Sequence, residues 1–148
     1  MVRPAASLLL VIASCTLYAS EPAAPVAPIP EWAATFLSSW YTSFNRGDAA
    51  GVAELFSEGA RLGEVQGRTA IREMLSAQFA KTQYRCTGSY DGLQALGPLA
   101  VAWGHESCLR TSRASGKTDR TKEQWLLVFE RGESGQWFLT RETYEALE

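Results

Sequence analysis

The chain has 148 residues, 46% of them hydrophobic and 20% charged, which is the make-up of one globular domain able to bury a core. With 14 Lys and Arg against 16 Asp and Glu, its formal charge is -2. The one dense cationic run, Arg110 to Lys122, reads as a short solvated hairpin loop, so no nucleic-acid partner is expected.

Arg3 precedes an apolar run from Ala5 to Ala13 that is too short to span a bilayer as a helix but suits the core of a signal peptide. Residues 1–20 are therefore read as an export signal. Ile12-Ala13-Ser14-Cys15 resembles the lipobox of bacterial lipoproteins, whose cysteine is acylated and becomes the new N-terminus; ordinary cleavage near Ala19 is the alternative. The expected location is the periplasm or cell envelope as a lipoprotein, or the exterior as a secreted protein. Any membrane contact would run through that lipid anchor. Residues 21–30 carry Pro22, Pro25, Pro28 and Pro30 among alanines, and prolines this dense favour an extended, semi-rigid linker.

The folded domain is expected over residues 31–148. From Glu31, apolar residues at Trp32, Phe36, Leu37, Trp40 and Phe44 occupy an arc of about 140° at the helical repeat, which predicts one amphipathic helix. Gly47 suits its left-handed closing position and Asp48 can cap a second helix carrying Val52, Leu55 and Phe56, which Gly59 would end. A short strand from Ala60 to Gln66 follows. Gly67 breaks it, and a third helix from about Arg68 to Lys81 would bury Ile71, Met74, Leu75 and Phe79.

Only strands follow. Thr82 to Ala95 and Leu99 to Thr111 flank Leu96-Gly97-Pro98, and a turn centred near Gly97 brings Cys86 opposite Cys108. In an exported chain that even pair is expected to form a disulfide; two small buried thiols are the alternative. A one-residue change of register would put the cysteines on opposite faces. Pro98 does not suit the left-handed last position of a three-residue loop, so the register needs a bulge or another turn. The last two strands, Thr121 to Arg131 and Gln136 to Leu147, are joined by Gly132-Glu133-Ser134-Gly135 as a hairpin. Trp125, Leu127 and Phe129 alternate on one face, with Phe138 and Tyr144 expected on the same side.

Two helices, a strand, a helix and four antiparallel strands give an α+β order in which a curved antiparallel sheet wraps around the N-terminal helices to form a cone, a cystatin-like α+β roll. The segment Phe44 to Leu62, the run Gly67-Arg68-Thr69-Ala70-Ile71-Arg72 and the late Trp137-Phe138-Leu139 strand resemble the SnoaL-like branch of the nuclear transport factor two-like superfamily. The resemblance implies a pocket at the open end of the cone and a homodimer formed through the sheet. It also implies a choice of functions, because ketosteroid isomerase, dehydratases, polyketide cyclases and domains without activity share the fold.

By that resemblance Glu64 falls where ketosteroid isomerase holds its proton-shuttling carboxylate. Trp40 takes the place of its phenolic donor, with Tyr41 beside it, and Trp125 that of its protonated-acid donor. Indoles are poor substitutes for acidic donors. One reading is therefore a binding module without catalysis, in which Trp40, Tyr41 and Trp125 line a pocket for a small apolar or planar ligand and Glu64 is its charged contact. The other is a cofactor-independent isomerase, dehydratase or cyclase with Glu64 as general base; a dimer with a filled cone and a scaffolding role fits the same residues. Arg141 and Glu142 point to opposite faces of the last strand, so at most one can reach the pocket. His105 is the only histidine and no His/Cys cluster accompanies it, so neither a metal nor another cofactor is expected.

Overall fold

The apolar stripe of the first helix is buried where the periodicity puts it. In the computed structural model, which describes residues 28–147, helix α1 spans Glu31–Arg46 and buries Ala33, Phe36 and Trp40. The export signal, Cys15 and most of the proline-rich linker lie outside the described residues. Gly47 adopts φ 70° and closes α1, a backbone conformation that only glycine takes without a steric cost. The Asp48 carboxylate then accepts the Gly51 N–H at 2.9 Å and starts helix α2.

Helix α2, Ala49–Ala53, has only five residues; it does not continue to Gly59. Strand β1 begins at Phe56 and runs to Leu62, and β2 is Val65–Gln66, so the expected single strand is a small hairpin turning at Gly63 and Glu64. A helix this short gains little from its own hydrogen bonds. Pairing of Phe56 with Leu139, and the Leu139 N–H on the Leu55 carbonyl at 2.9 Å, draw the chain into the sheet instead. Arg68 secures the crossing by donating to the Phe56 carbonyl at 2.8 Å and pairing with Glu58 at 2.8 Å. Helix α3, Arg68–Lys81, buries Ile71, Leu75 and Phe79.

Four long strands complete the chain: β3 Thr82–Leu96, β4 Leu99–Ser112, β5 Thr118–Arg131 and β6 Trp137–Ala146. The sheet order is β2-β1-β6-β5-β4-β3, antiparallel except where β1 meets β6 in parallel. The loop expected over Arg110 to Lys122 shrinks to residues 113–117, because β4 and β5 extend into it. Arg113 is held there by donating to the Phe79 carbonyl at 2.9 Å.

One end of the cone is solid. Phe36, Phe56, Phe129 and Leu139 fill it, with Phe36 edge-on to Phe129 at 4.8 Å between ring centroids. Each such side chain contributes about 1.5–3 kcal/mol by leaving water. Helix α1 also covers the edge strand: Asn45 accepts from the Cys86 N–H at 2.6 Å and donates to the Cys86 carbonyl at 2.9 Å. At Cys86 the edge has no free backbone groups to offer another strand.

Two bulges set which side chains enter the cone. The β3–β4 loop has two residues, Gly97 with φ 67° and Pro98, between the paired Leu96 and Leu99. Asp91 is an extra residue between the Tyr90–Gly104 and Gly92–Trp103 pairs, and this shift brings Cys86 opposite Cys108. Their sulfurs are bonded at 2.01 Å. In β6, Thr140 is the extra residue between the Leu139–Phe129 and Arg141–Val128 pairs, and its hydroxyl donates to the Val128 carbonyl at 3.0 Å. Leu139 is consequently buried and Phe138 lies on the opposite face from Tyr144, contrary to the simple alternation; beyond the bulge, Glu142 rather than Arg141 lines the cone.

The bond between Cys86 and Cys108 closes a segment with a sequence separation of 22. Its reduction should leave the fold intact while lowering unfolding stability by about 2–4 kcal/mol. Urea melts with and without reductant measure this; coincident midpoints would show that the bond adds nothing to stability.

Candidate functional site

Opposite the solid end, a cavity of about 500 Å³ opens between α1, α3, the β1–β2 turn and the concave sheet. Its apolar wall consists of Trp40, Phe44, Leu62, Val65, Met74, Leu75, Tyr84 and Tyr144. Trp40 stacks on Phe44 at 5.9 Å, and Phe44 meets Tyr84 edge-on at 5.1 Å. The wall suits a flat or hydrophobic molecule.

The polar side comes from three adjacent strands. Glu106 on β4, Glu123 on β5 and Glu142 on β6 all line the cavity. Below them a recess of about 10 Å³ is walled by Trp40, Tyr41 and Trp125 together with Glu106 and Glu142. Trp40, Tyr41 and Trp125, separate in sequence, therefore meet around one point. Glu64 does not join them: it is exposed in the turn between β1 and β2 and borders only the mouth.

Two glycines make room for this arrangement. A Cβ at Gly104 would collide with the Trp125 ring on the neighbouring strand, and one at Gly88 with the Tyr41 hydroxyl. Tyr41 donates to Glu106 Oε2 at 3.1 Å, and the Trp125 ring walls the recess beside it. The phenol proton is thereby engaged. Glu106 Oε1 faces the Cys108 sulfur at 3.6 Å, which as half of a disulfide carries no proton to donate. Glu142 Oε2 is shut off from solvent and has no hydrogen-bond partner.

Burial raises the pKa of Glu142 to about 8, and the nearby Glu106 and Glu123 charges push in the same direction. Burial also raises the Glu106 carboxyl, against the lowering effect of the Tyr41 hydroxyl and with a further push from Glu123. Tyr41 is raised too, first by burial and then by Glu106, so it stays a neutral donor. Near neutral pH the floor thus combines one carboxyl, Glu142, that can exchange a proton with a phenol that cannot.

His105 lies elsewhere, on the opposite face of β4 from Glu106, with Nδ1 2.9 Å from Asp91 Oδ1 and Nε2 3.5 Å from Ser89 Oγ. About half of the His105 and Asp91 side chains is exposed, so this line of three groups has none of the burial that activates a serine nucleophile. Among the described residues no group of three or more His, Cys, Asp or Glu could hold a metal ion. Of Arg141 and Glu142 it is Glu142 that reaches the cavity, and Glu106, absent from the sequence-based candidates, joins it there. Glu106 was within reach, since strand alternation turns it to the same face as Cys108; Glu142 depended on the bulge at Thr140.

The Glu142 carboxyl gives a signed pH dependence. Its ordinary value is 4.5 and its folded value about 8, so across that window the folded chain keeps a proton that the unfolded chain has released. The associated stability is full below 4.5 and is lost as pH rises towards 8, by up to about 1.4 kcal/mol per pH unit. Glu142→Gln removes this loss, and its stability relative to the parent should climb between pH 5 and pH 8 in urea melts. A difference that stays flat with pH would mean an ionised, hydrated Glu142.

No family model matches the sequence, and no curated protein matches it. Solved structures do. A ketosteroid isomerase-like protein from Erwinia carotovora atroseptica superposes with a TM-score of 0.69 at 16% identity, covering 78% of this chain and 93% of that one. A nuclear transport factor 2-like superfamily protein from Salmonella enterica gives 0.66 at 18% identity over 77% and 87% of the two chains. ActVI-ORFA from Streptomyces coelicolor gives 0.64 at 17% over 78% and 94%. At these identities the likeness is one of architecture, and it agrees with the element order, the curved sheet and the open cone described above: the chain has the nuclear transport factor 2-like fold.

Proposed function

We propose that this chain is an exported domain of the SnoaL-like kind that holds a small molecule in its cone without turning it over. One observation carries the reading: a cavity of about 500 Å³ with an aromatic and aliphatic wall and a few convergent polar groups at one side, which is the usual make-up of a small-molecule site. Trp40, Tyr41 and Trp125 would form the deep wall and Glu64 the charged contact at the mouth. The Cys86–Cys108 bond supports an oxidising compartment. Acylation at Cys15, or simple secretion after cleavage near Ala19, belongs to the same proposal.

A second reading is supported by the raised Glu142 carboxyl. A group that titrates near neutral pH inside an apolar pocket can pass a proton, as a cofactor-independent isomerase, dehydratase or cyclase requires. Glu64, the base assigned by resemblance, is exposed at the rim, which favours the binding reading over this one.

Native mass spectrometry of protein purified from its own cell envelope should find a small molecule retained at one per chain, and Trp40→Phe should weaken its hold several-fold. An empty, closed cavity across unbiased ligand screens would defeat the binding reading. Conversion of the retained compound would favour the second reading, and turnover unchanged in Glu64→Gln would then remove Glu64 as base.

The proposal includes a homodimer through the convex face of the sheet. Trp103 and Leu126, paired across β4 and β5, are each 42% exposed, and Leu99 on the same face of β4 is exposed to the same extent. Contiguous apolar surface of this kind on a sheet suits a partner face. Trp103→Asp should convert a dimer to a monomer in sedimentation at micromolar concentration; a chain that is monomeric before the change excludes this assembly.

A further inference from the structure

We infer that the molecule held in the cone carries a protonated amine, seated between the Glu106 and Glu142 carboxyls with its apolar body against Trp40 and Tyr84. The inference rests on the ligand-binding reading above and narrows it to one chemical class.

The donors and acceptors of the floor decide the matter. Tyr41 has its hydroxyl proton on Glu106 Oε2. That proton is not free for a carbonyl or an oxyanion of a ligand. The carboxyls add acceptor capacity, which is complete once a cation beside them lets Glu142 ionise. Glu142 Oε2 is buried without a partner, and Glu106 Oε1 faces only a disulfide sulfur. An ammonium group offers three donors and no acceptor, so it can satisfy both carboxyls at once. A hydroxyl offers one donor, a carbonyl none.

Charge points the same way. The cavity is lined by Glu64, Glu106, Glu123 and Glu142 against a single cation, Arg110, which sits near Asp119 at 3.8 Å across the β4–β5 pair. Burial, and after it repulsion from the Glu106 and Glu123 carboxyls, holds Glu142 towards its protonated form. A cation in their midst removes the repulsion and allows both to ionise, whereas an anionic ligand adds to it. The aromatic wall supplies a second attraction, since a cation near ring faces is favoured by their negative quadrupole.

Four probes of one shape test the idea on the mature chain by calorimetry: tryptamine, indole-3-ethanol, indole-3-acetamide and indole-3-acetate. Tryptamine should bind about tenfold or more tightly than the alcohol or the amide, the range expected of charge-assisted hydrogen bonds, and the acetate most weakly. Glu106→Gln and Glu142→Gln should each erase most of that preference while binding of the alcohol persists, which also reports that the variants are folded. If the alcohol or amide binds as well as the amine, the amine inference fails and the pocket reading stands. If none of the four binds at millimolar concentration, both fall. A preference that survives Glu142→Gln overturns the assignment as well, leaving a trapped water as the partner of that carboxyl.

Discussion

A single extra residue in the last strand governs the interior of this cone. Side chains alternate across a strand with a period of two, so inserting Thr140 between the Leu139 and Arg141 pairings reverses the sense of everything beyond it. Before the bulge Leu139 completes the apolar core against Phe129. After it Glu142 and Tyr144 line the cavity, and Arg141 is exposed. Were Thr140 paired in the ladder instead of bulged out of it, Arg141 would fall opposite Leu127 and enter the cone. A guanidinium there would neutralise Glu106 and Glu123, and the acidic floor would become an ordinary ion-pair network. The Thr140 hydroxyl, bonded to the Val128 carbonyl at 3.0 Å, occupies a backbone acceptor of the adjoining strand at this point.

The rest of the site is arranged around that choice. Gly88 and Gly104, on β3 and β4, lack the side chains that would fill the positions of the Tyr41 hydroxyl and the Trp125 indole. Their absence lets α1 approach the sheet closely enough for Tyr41 to reach Glu106. Helix α1 is fixed along the same edge by Asn45 on the Cys86 backbone and by the Tyr90 hydroxyl on the Ala33 carbonyl at 3.0 Å. The disulfide lies in the adjoining β3–β4 pair. Rigid elements thus hold every donor and acceptor of the floor, a condition for selective recognition.

The large features of the fold were legible because they rest on period and punctuation. The stripe from Trp32 to Phe44, the left-handed Gly47, the Asp48 cap and the third helix over Arg68–Lys81 all follow from residue types at known spacings. The four long strands do so too. Legibility ended where one residue more or less decides the outcome. Val52, Leu55 and Phe56 fit a helix, yet pairing of Phe56 with Leu139, some eighty residues away in the chain, takes precedence, and no local pattern carries that contact. Asp91 and Thr140 are extra residues that nothing in their composition marks, and both alter which faces are inside. The sequence reading accordingly put weight on Glu64, whose position follows from counting, and little on Glu142, whose orientation follows from a bulge.

The acidic floor also weighs against a cone that merely supports an assembly. Among the described residues the largest fully buried side chains are all apolar, including Phe56, Phe129, Ile71, Leu75, Leu139 and Val52, and no polar or charged residue is fully buried as a whole. Against this background three carboxyls converge on one cavity, one of them with an oxygen cut off from both water and any donor. Holding a carboxyl in that state costs free energy whether it ionises or stays neutral. A leucine at position 142, like that at position 127 on the paired strand, would extend the core towards the mouth and make the domain more stable. A scaffold gains nothing by forgoing that stability. A site whose acceptors are completed by something entering from outside does, because the group that makes the empty cone costly is the one that gives the occupied cone its selectivity.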